Sequence, residues 1–203
     1  VMLSTESLLS ITFSASLARY GGDLAVGAMT IITSVSQLVT LPLQGVCQGG
    51  QPIISYNYGA GHGDRVKKTF FLVFSVCMTY TVLFWAAVLL FPSVFAGIFT
   101  TNAELSGYTS WALRIYMAGI FACGAQCSCQ QSFMALGQAK VSLLLACLRK
   151  IVLLIPLILI LPHVLPFDPV FSVFLAEPVS DIAAAVITTI TFLARFNRIL
   201  EMR

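Results

Sequence analysis

Charge is what this chain has least of. Only 9% of its 203 residues are Asp, Glu, Lys or Arg, against about a quarter in an ordinary soluble domain. Water does not wet a surface built from so few charges, which argues against a soluble enzyme. A hydrophobic content of 58% excludes a disordered chain. There is no Gly-x-Ser-x-Gly, no His pair at helical spacing and no glycine-rich phosphate loop, so hydrolytic, metalloprotease and ATP-driven constellations are missing. The net charge of +3 comes from scattered bases, a pattern that does not suit nucleic acid. No basic stretch precedes the first apolar run, which excludes a signal peptide. A chain that opens on Val1-Met2-Leu3, already inside a helical pattern, reads as part of a longer one. The six cysteines, Cys47, Cys77, Cys123, Cys127, Cys129 and Cys147, lack paired Cys-x-x-Cys spacing and all lie in apolar runs. They read as small packing residues of membrane helices.

What the chain does have is long apolar runs, with a mean hydropathy of +0.93. A helix needs roughly 20 apolar residues to cross a bilayer. By that measure the sequence predicts an all-α integral membrane protein with spans at about 1–18, 24–46, 69–91, 107–136, 141–161 and 170–194, the first of them truncated. Runs of this length do not fit the ten-residue alternation of barrel strands. Polar turns separate them: Arg19 to Asp23, Asn57 to Lys68, Phe99 to Ser106, Gly137 to Lys140, and the proline-rich stretch from Pro162 to Pro169. One set of turns holds Arg65, Lys67, Lys68, Lys140, Arg195, Arg198 and Arg203, while the other holds Arg19 and Arg114. That bias predicts a multi-pass protein with its C-terminus in the cytoplasm.

Polar groups inside spans are costly in lipid and are therefore functional candidates. Glu6 shares the first helix with Ser4, Thr5, Ser7, Ser10, Thr12 and Ser14. It reads either as an interfacial side chain reaching water or as an ion or proton site. Glu177 and Asp181 stand at i and i+4, on one helical face, with Pro178 between them. The pair is equally a solvated helix start or two hard oxygen ligands for a cation. Arg149 and Lys150 are expected to snorkel to the cytoplasmic headgroups rather than pair with a buried carboxylate. Gln37, Gln44, Gln48 and Gln51 are spaced by 7, 4 and 3 residues and fall within roughly 60° of one another on a helix. Lipid cannot satisfy an amide's donors and acceptors, so this stripe is expected to face the bundle interior and to line a wet cavity there rather than act as glue between helices. Gln126 and Gln130 form a shorter second stripe.

Several motifs in order resemble one family. They are residues 20–32 (Tyr-Gly-Gly-Asp-Leu-Ala-Val-Gly-Ala-Met-Thr-Ile-Ile), Leu41-Pro42-Leu43-Gln44-Gly45, Gln48-Gly49-Gly50-Gln51-Pro52-Ile53-Ile54, and Tyr56-Asn57-Tyr58-Gly59-Ala60 with Asp64-Arg65-Val66. They continue with Ala135-Leu136-Gly137-Gln138-Ala139-Lys140, Leu148-Arg149-Lys150 with Ile155-Pro156, and Ala176-Glu177-Pro178-Val179-Ser180-Asp181. Together they resemble helices eight to twelve of bacterial MATE (multidrug and toxic compound extrusion) transporters. The resemblance implies a six-helix C-terminal lobe over residues 1–203, half of a twelve-helix pseudosymmetric fold, with the N-terminal lobe absent. It implies an antiporter in the bacterial plasma membrane that exports drugs and organic cations in exchange for Na⁺ or H⁺ by alternating access, with no other cofactor. Its partners would be organic cations, membrane lipids and the N-terminal lobe. Glu6 would correspond to a seventh-helix glutamate implicated in cation coupling. The aspartate that some members carry on the tenth helix has no counterpart in residues 122–127, where Gln126 is the neutral substitute. Two further readings stand beside this one: a lipid-linked saccharide flippase of the same superfamily, and a half-transporter remnant that does not transport. The flippase fits less well, because the candidate cavity residues are neutral or acidic.

Overall fold

The computed structural model describes residues 2–201, and the side chains among them except those of residues 2–7, 197 and 201. Helix α1 spans Met2–Gly59. At about 1.5 Å per residue a straight rod of that length would be far longer than a bilayer is thick. The rod is broken at Gly22, where φ is 64° and ψ is −160°. That backbone geometry is open to glycine and strained for other residues. Two helical arms result. Leu9, Phe13 and Leu17 from the first and Ile32, Val35 and Val39 from the second enter one core.

Helix α2 covers Gly63–Leu90, and the short α3 covers Pro92–Phe99 with its proline in the first turn. Helix α4 spans Ala103–Tyr116, its start fixed by Asn102, whose Oδ1 accepts from the backbone N–H groups of Glu104 and Leu105. A 3₁₀ stretch, Met117–Ala122, joins α4 to α5, Cys123–Ala135. After a turn at Gly137 (φ 75°) come α6, Ala139–Cys147, a π-helical stretch, Leu148–Leu154, and α7, Ile155–Val164. Helix α8 runs over Pro169–Glu201. Among the described residues four helical stretches are long and apolar enough to cross a membrane, Leu8–Gly59, Gly63–Leu90, Ala139–Val164 and Pro169–Leu200. With α1 in two arms and α4–α5 acting as one interrupted rod, the bundle has six helical bodies.

Helix extends further than the polarity of the sequence suggests. The stretch after residue 46 stays helical to Gly59, through Gly49, Gly50 and Pro52, and only Ala60 to His62 form the turn expected over residues 57–68. Packing overrides propensity here. A Cβ on Gly50 would meet Val73 of α2 at 2.6 Å, so the glycine is what lets the two helices close up. The proline-rich turn likewise begins only after Val164.

Two cores lie along the bundle. The larger is built from α1, α2, α4, the 3₁₀ stretch and α8. The smaller joins Ile54, Val66, Phe70, Phe133, Leu136, Leu145, Phe192 and Phe196. Phe192 stacks on Phe196 at 4.8 Å, meets Phe133 edge-on at 5.0 Å and lies tilted against Phe70 at 4.6 Å. This second core draws together the α1–α2 turn, the α5–α6 turn and the end of α8. The bases Arg65, Lys67, Lys68, Lys140, Arg195 and Arg198 therefore gather at one end of the bundle.

Backbone groups freed by helix breaks are answered by side chains, as an apolar surrounding requires. Pro42 cannot donate to the Leu38 carbonyl, and the Tyr80 hydroxyl donates to it instead at 2.9 Å. In the 3₁₀ stretch the carbonyl of Ala118 accepts from Trp85 Nε1 at 3.1 Å and that of Phe121 from Thr81 Oγ1 at 3.2 Å. Helix α2 thus holds the interrupted rod by its two weakest turns.

Candidate functional site

The glutamines share one side of α1, but that side looks outward from this bundle and not into its interior, because the apolar residues of α1 take the inner face. Gln37, Gln44 and Gln48 are exposed and Gln51 is half-buried, while Val35, Val39, Leu43, Cys47 and Ile54 on the opposite face are buried. Thr30 and Thr33 extend the same exposed face, although each hydroxyl is turned back onto the carbonyl one helical turn before. The result is a neutral, amide-rich strip along one side of the lobe.

The second pair, Gln126 and Gln130, stands one helical turn apart on α5 and sits deeper in the bundle than the first stripe. Gln126 is 4% exposed, and its Oε1 has no hydrogen-bond partner. Gln130 is half-buried, and its backbone carbonyl accepts from Ser142 Oγ at 3.3 Å.

A charged cluster occupies the bundle interior. Glu177 and Asp181 share a face of α8, and between them sits the Arg149 guanidinium from the π-helical stretch. Arg149 Nε donates to Asp181 Oδ1 at 2.8 Å, its Nη2 contacts the same oxygen, and Nη2 donates to Glu177 Oε1 at 3.4 Å. Asp181 is 2% exposed. This corrects two expectations. Arg149 does not snorkel to the headgroups. The two carboxylates do not form an open cation site, because the chain's own guanidinium stands where a cation would bind. The π stretch explains the turn inward. Pro156 lacks the N–H that would close the ordinary helical bond to Val152, and the widened ring rotates Arg149 toward α8. Ser180 Oγ donates to the Arg149 carbonyl at 3.2 Å, completing the seam.

The seam's other wall is the 3₁₀ stretch. A Cβ on Gly119 would come within 2.7 Å of the Pro178 Cα, so the two backbones are in contact. Tyr116, packed on Phe13 at 6.0 Å, stands beside the carboxylates, and Lys150 acts on both of them through its charge. Glu177 Oε2 is buried without a hydrogen-bond partner. The side chain of Glu6 falls outside those the structure describes. Phe13 is buried and Phe121 packs edge-on against Trp85 at 5.7 Å, so these rings serve packing.

A family model described as MatE matches residues 1–160 of the chain. The protein belongs to the MATE family. The Staphylococcus aureus multidrug export protein MepA is 27% identical over 178 residues, covering 84% of this chain and 38% of its own length. MepA of Staphylococcus saprophyticus is 26% identical over 175 residues with the same coverage. The chain thus spans well under half the length of these relatives. Among solved structures, an outward-facing and an inward-facing MATE transporter each match with a TM-score of 0.88, at 17% and 16% identity, covering 97% of this chain and 44–45% of theirs. A transporter of the same superfamily from Pyrococcus furiosus, described as having a binding pocket of reversed polarity, matches at 0.86 with 16% identity, covering 96% of this chain and 44% of its own. The fold is that of a MATE lobe, an all-helical multi-pass membrane protein and not an enzyme.

Proposed function

We propose that this MATE lobe is the C-terminal half of a secondary antiporter of the bacterial plasma membrane, exporting drugs and organic cations in exchange for Na⁺ or H⁺ by alternating access. The observation that carries this reading is the exposed amide face of α1. Gln37, Gln44, Gln48 and Gln51 leave a strip that hydrocarbon cannot satisfy, and a water-filled cavity against an N-terminal lobe would satisfy it. The strip carries no positive charge, which suits cationic cargo and disfavours the phosphate of a lipid-linked saccharide. The equal likeness to inward- and outward-facing relatives supports a lobe that keeps its shape while the two halves rock. The basic end, with Lys67, Lys68 and Arg195, would face the cytoplasm together with the C-terminus.

Coupling needs a group whose affinity for the ion differs between the two states. Glu6, a carboxylate within the first apolar run of the sequence, is the first candidate. Glu177 and Asp181 are the second, acting through exchange of Arg149 for an incoming cation or proton. The test uses the transporter with both lobes in proteoliposomes, loaded with a fluorescent organic cation and given either a Na⁺ or a pH gradient. Gradient-driven efflux that falls in Glu6→Gln, with normal membrane insertion, is the expected result. Efflux indifferent to both gradients would overturn the antiport reading. Unchanged efflux in Glu6→Gln would remove the coupling role from that residue.

A further inference from the structure

Three cysteines that are far apart in sequence meet in the bundle. Cys47 of α1 and Cys77 of α2 have their Sγ atoms 3.6 Å apart, and both side chains are almost wholly buried, at 2% and 1% exposure. Cys127 of α5, half-buried, reaches the same pair and interacts with Cys47. All are free thiols. Two sulfurs at this distance are already in van der Waals contact, and forming a disulfide requires closing by about 1.5 Å. Cys47 and Cys77 take no part in the hydrogen bonds of the Arg149 seam, and the proposed antiport makes no use of them.

Its place in α1 gives the contact a consequence. Cys47 lies between Pro42 and Pro52, each of which removes one bond from the helical ladder. The intervening segment carries Gln44, Gln48 and Gln51. It is fastened to α2 by the seat of Val73 against Gly50 and by the two thiols, and just before it the Tyr80 hydroxyl donates to the Leu38 carbonyl. A covalent bond between the thiols would fix the least hydrogen-bonded part of α1, and with it the amide face, to α2.

We infer that Cys47 and Cys77 form an oxidation site for lipophilic hydroperoxides that reach the membrane interior, closing to an intramolecular disulfide between α1 and α2. In the first step one thiol attacks the peroxide O–O bond, giving a sulfenic acid and releasing the alcohol. In the second, the neighbouring thiol displaces the sulfenic oxygen as water and the S–S bond forms. Two S–H bonds and one O–O bond are broken, and the two electrons given up by sulfur reduce the peroxide. Burial excludes polar oxidants. The adjacency of a resolving thiol diverts the sulfenic acid from further oxidation.

The test uses the whole transporter in native membranes. The membranes are treated with cumene hydroperoxide, free thiols are alkylated after denaturation, and the cysteine peptides are mapped by mass spectrometry. The expected result is a Cys47–Cys77 linked peptide, two hydrogens lighter than the sum of its parts, lost on reduction and still formed in Cys127→Ala. The proposal is overturned if Cys47 and Cys77 both remain alkylated after treatment. It is equally overturned if they carry only separate sulfinic or sulfonic acids, or if the link joins Cys123 or Cys129 instead. The wild-type measurement decides the question without depending on any variant's folding.

Discussion

The glutamine face of α1 and the Arg149 seam beneath α8 are both polar patches in an apolar bundle, yet they satisfy their polar groups in opposite ways. The seam closes its charges on one another: Asp181, Glu177 and Arg149 are brought together from two elements. The face leaves its amides pointing out of the lobe, with Gln37, Gln44 and Gln48 exposed. The first arrangement holds helices together at the risk of a large penalty if one partner is lost. The second contributes little to the lobe's stability and leaves its hydrogen-bonding capacity free for something outside it. That difference separates a part of this MATE lobe that closes on itself from the part that, in the function proposed above, would meet cargo.

The comparison is broken most strongly at Arg149. Arg149→Ala leaves two carboxylates buried without a counter-ion, and removal of one partner of a buried ion pair costs about 3–5 kcal/mol. The variant is expected to lose most of its folded yield, or to show a much lower melting temperature in detergent. The double change Glu177→Gln with Asp181→Asn in the Arg149→Ala background should recover part of the loss. If Arg149→Ala melts like the parent, the seam carries no stability and the contrast fails.

A smaller effect is expected at the wall of the seam. Gly119→Ala would press a methyl against the Pro178 backbone at 2.7 Å, and overpacking of this kind costs about 1–3 kcal/mol. Thermal unfolding should register it, and Gly97→Ala, which meets nothing within 4 Å, is the control that should not move. Equal melting for the two variants would mean that the 3₁₀ stretch and α8 are not in backbone contact.

The legibility of these regions in the sequence follows the same divide. The all-helical membrane class follows from apolar runs and sparse charge, and the amide face follows from spacing within one helix. Both are local properties. The seam depends on the register of the π stretch against α8. Nothing local to Arg149 distinguishes a guanidinium turned inward from one reaching for headgroups, except its distance from the ends of the 26-residue stretch Ala139–Val164 and the nearby Pro156. The Cys47–Cys77 contact was equally invisible, since 30 residues and a hairpin separate the two thiols. Helix continues past residue 46, where Gly50 lets Val73 of α2 approach.

The central claim is that the amide face of α1 borders water and cargo, not lipid. Gln44→Cys in the two-lobed transporter, with the six native cysteines replaced, tests it most directly. An exposed substitution away from packing should change stability by less than about 0.5 kcal/mol, so the protein remains available for labelling. The account predicts rapid modification of Gln44→Cys by a membrane-impermeant, charged thiol reagent, slowed when a transported organic cation is present. Modification only by lipophilic maleimides, unaffected by any cation, would contradict it.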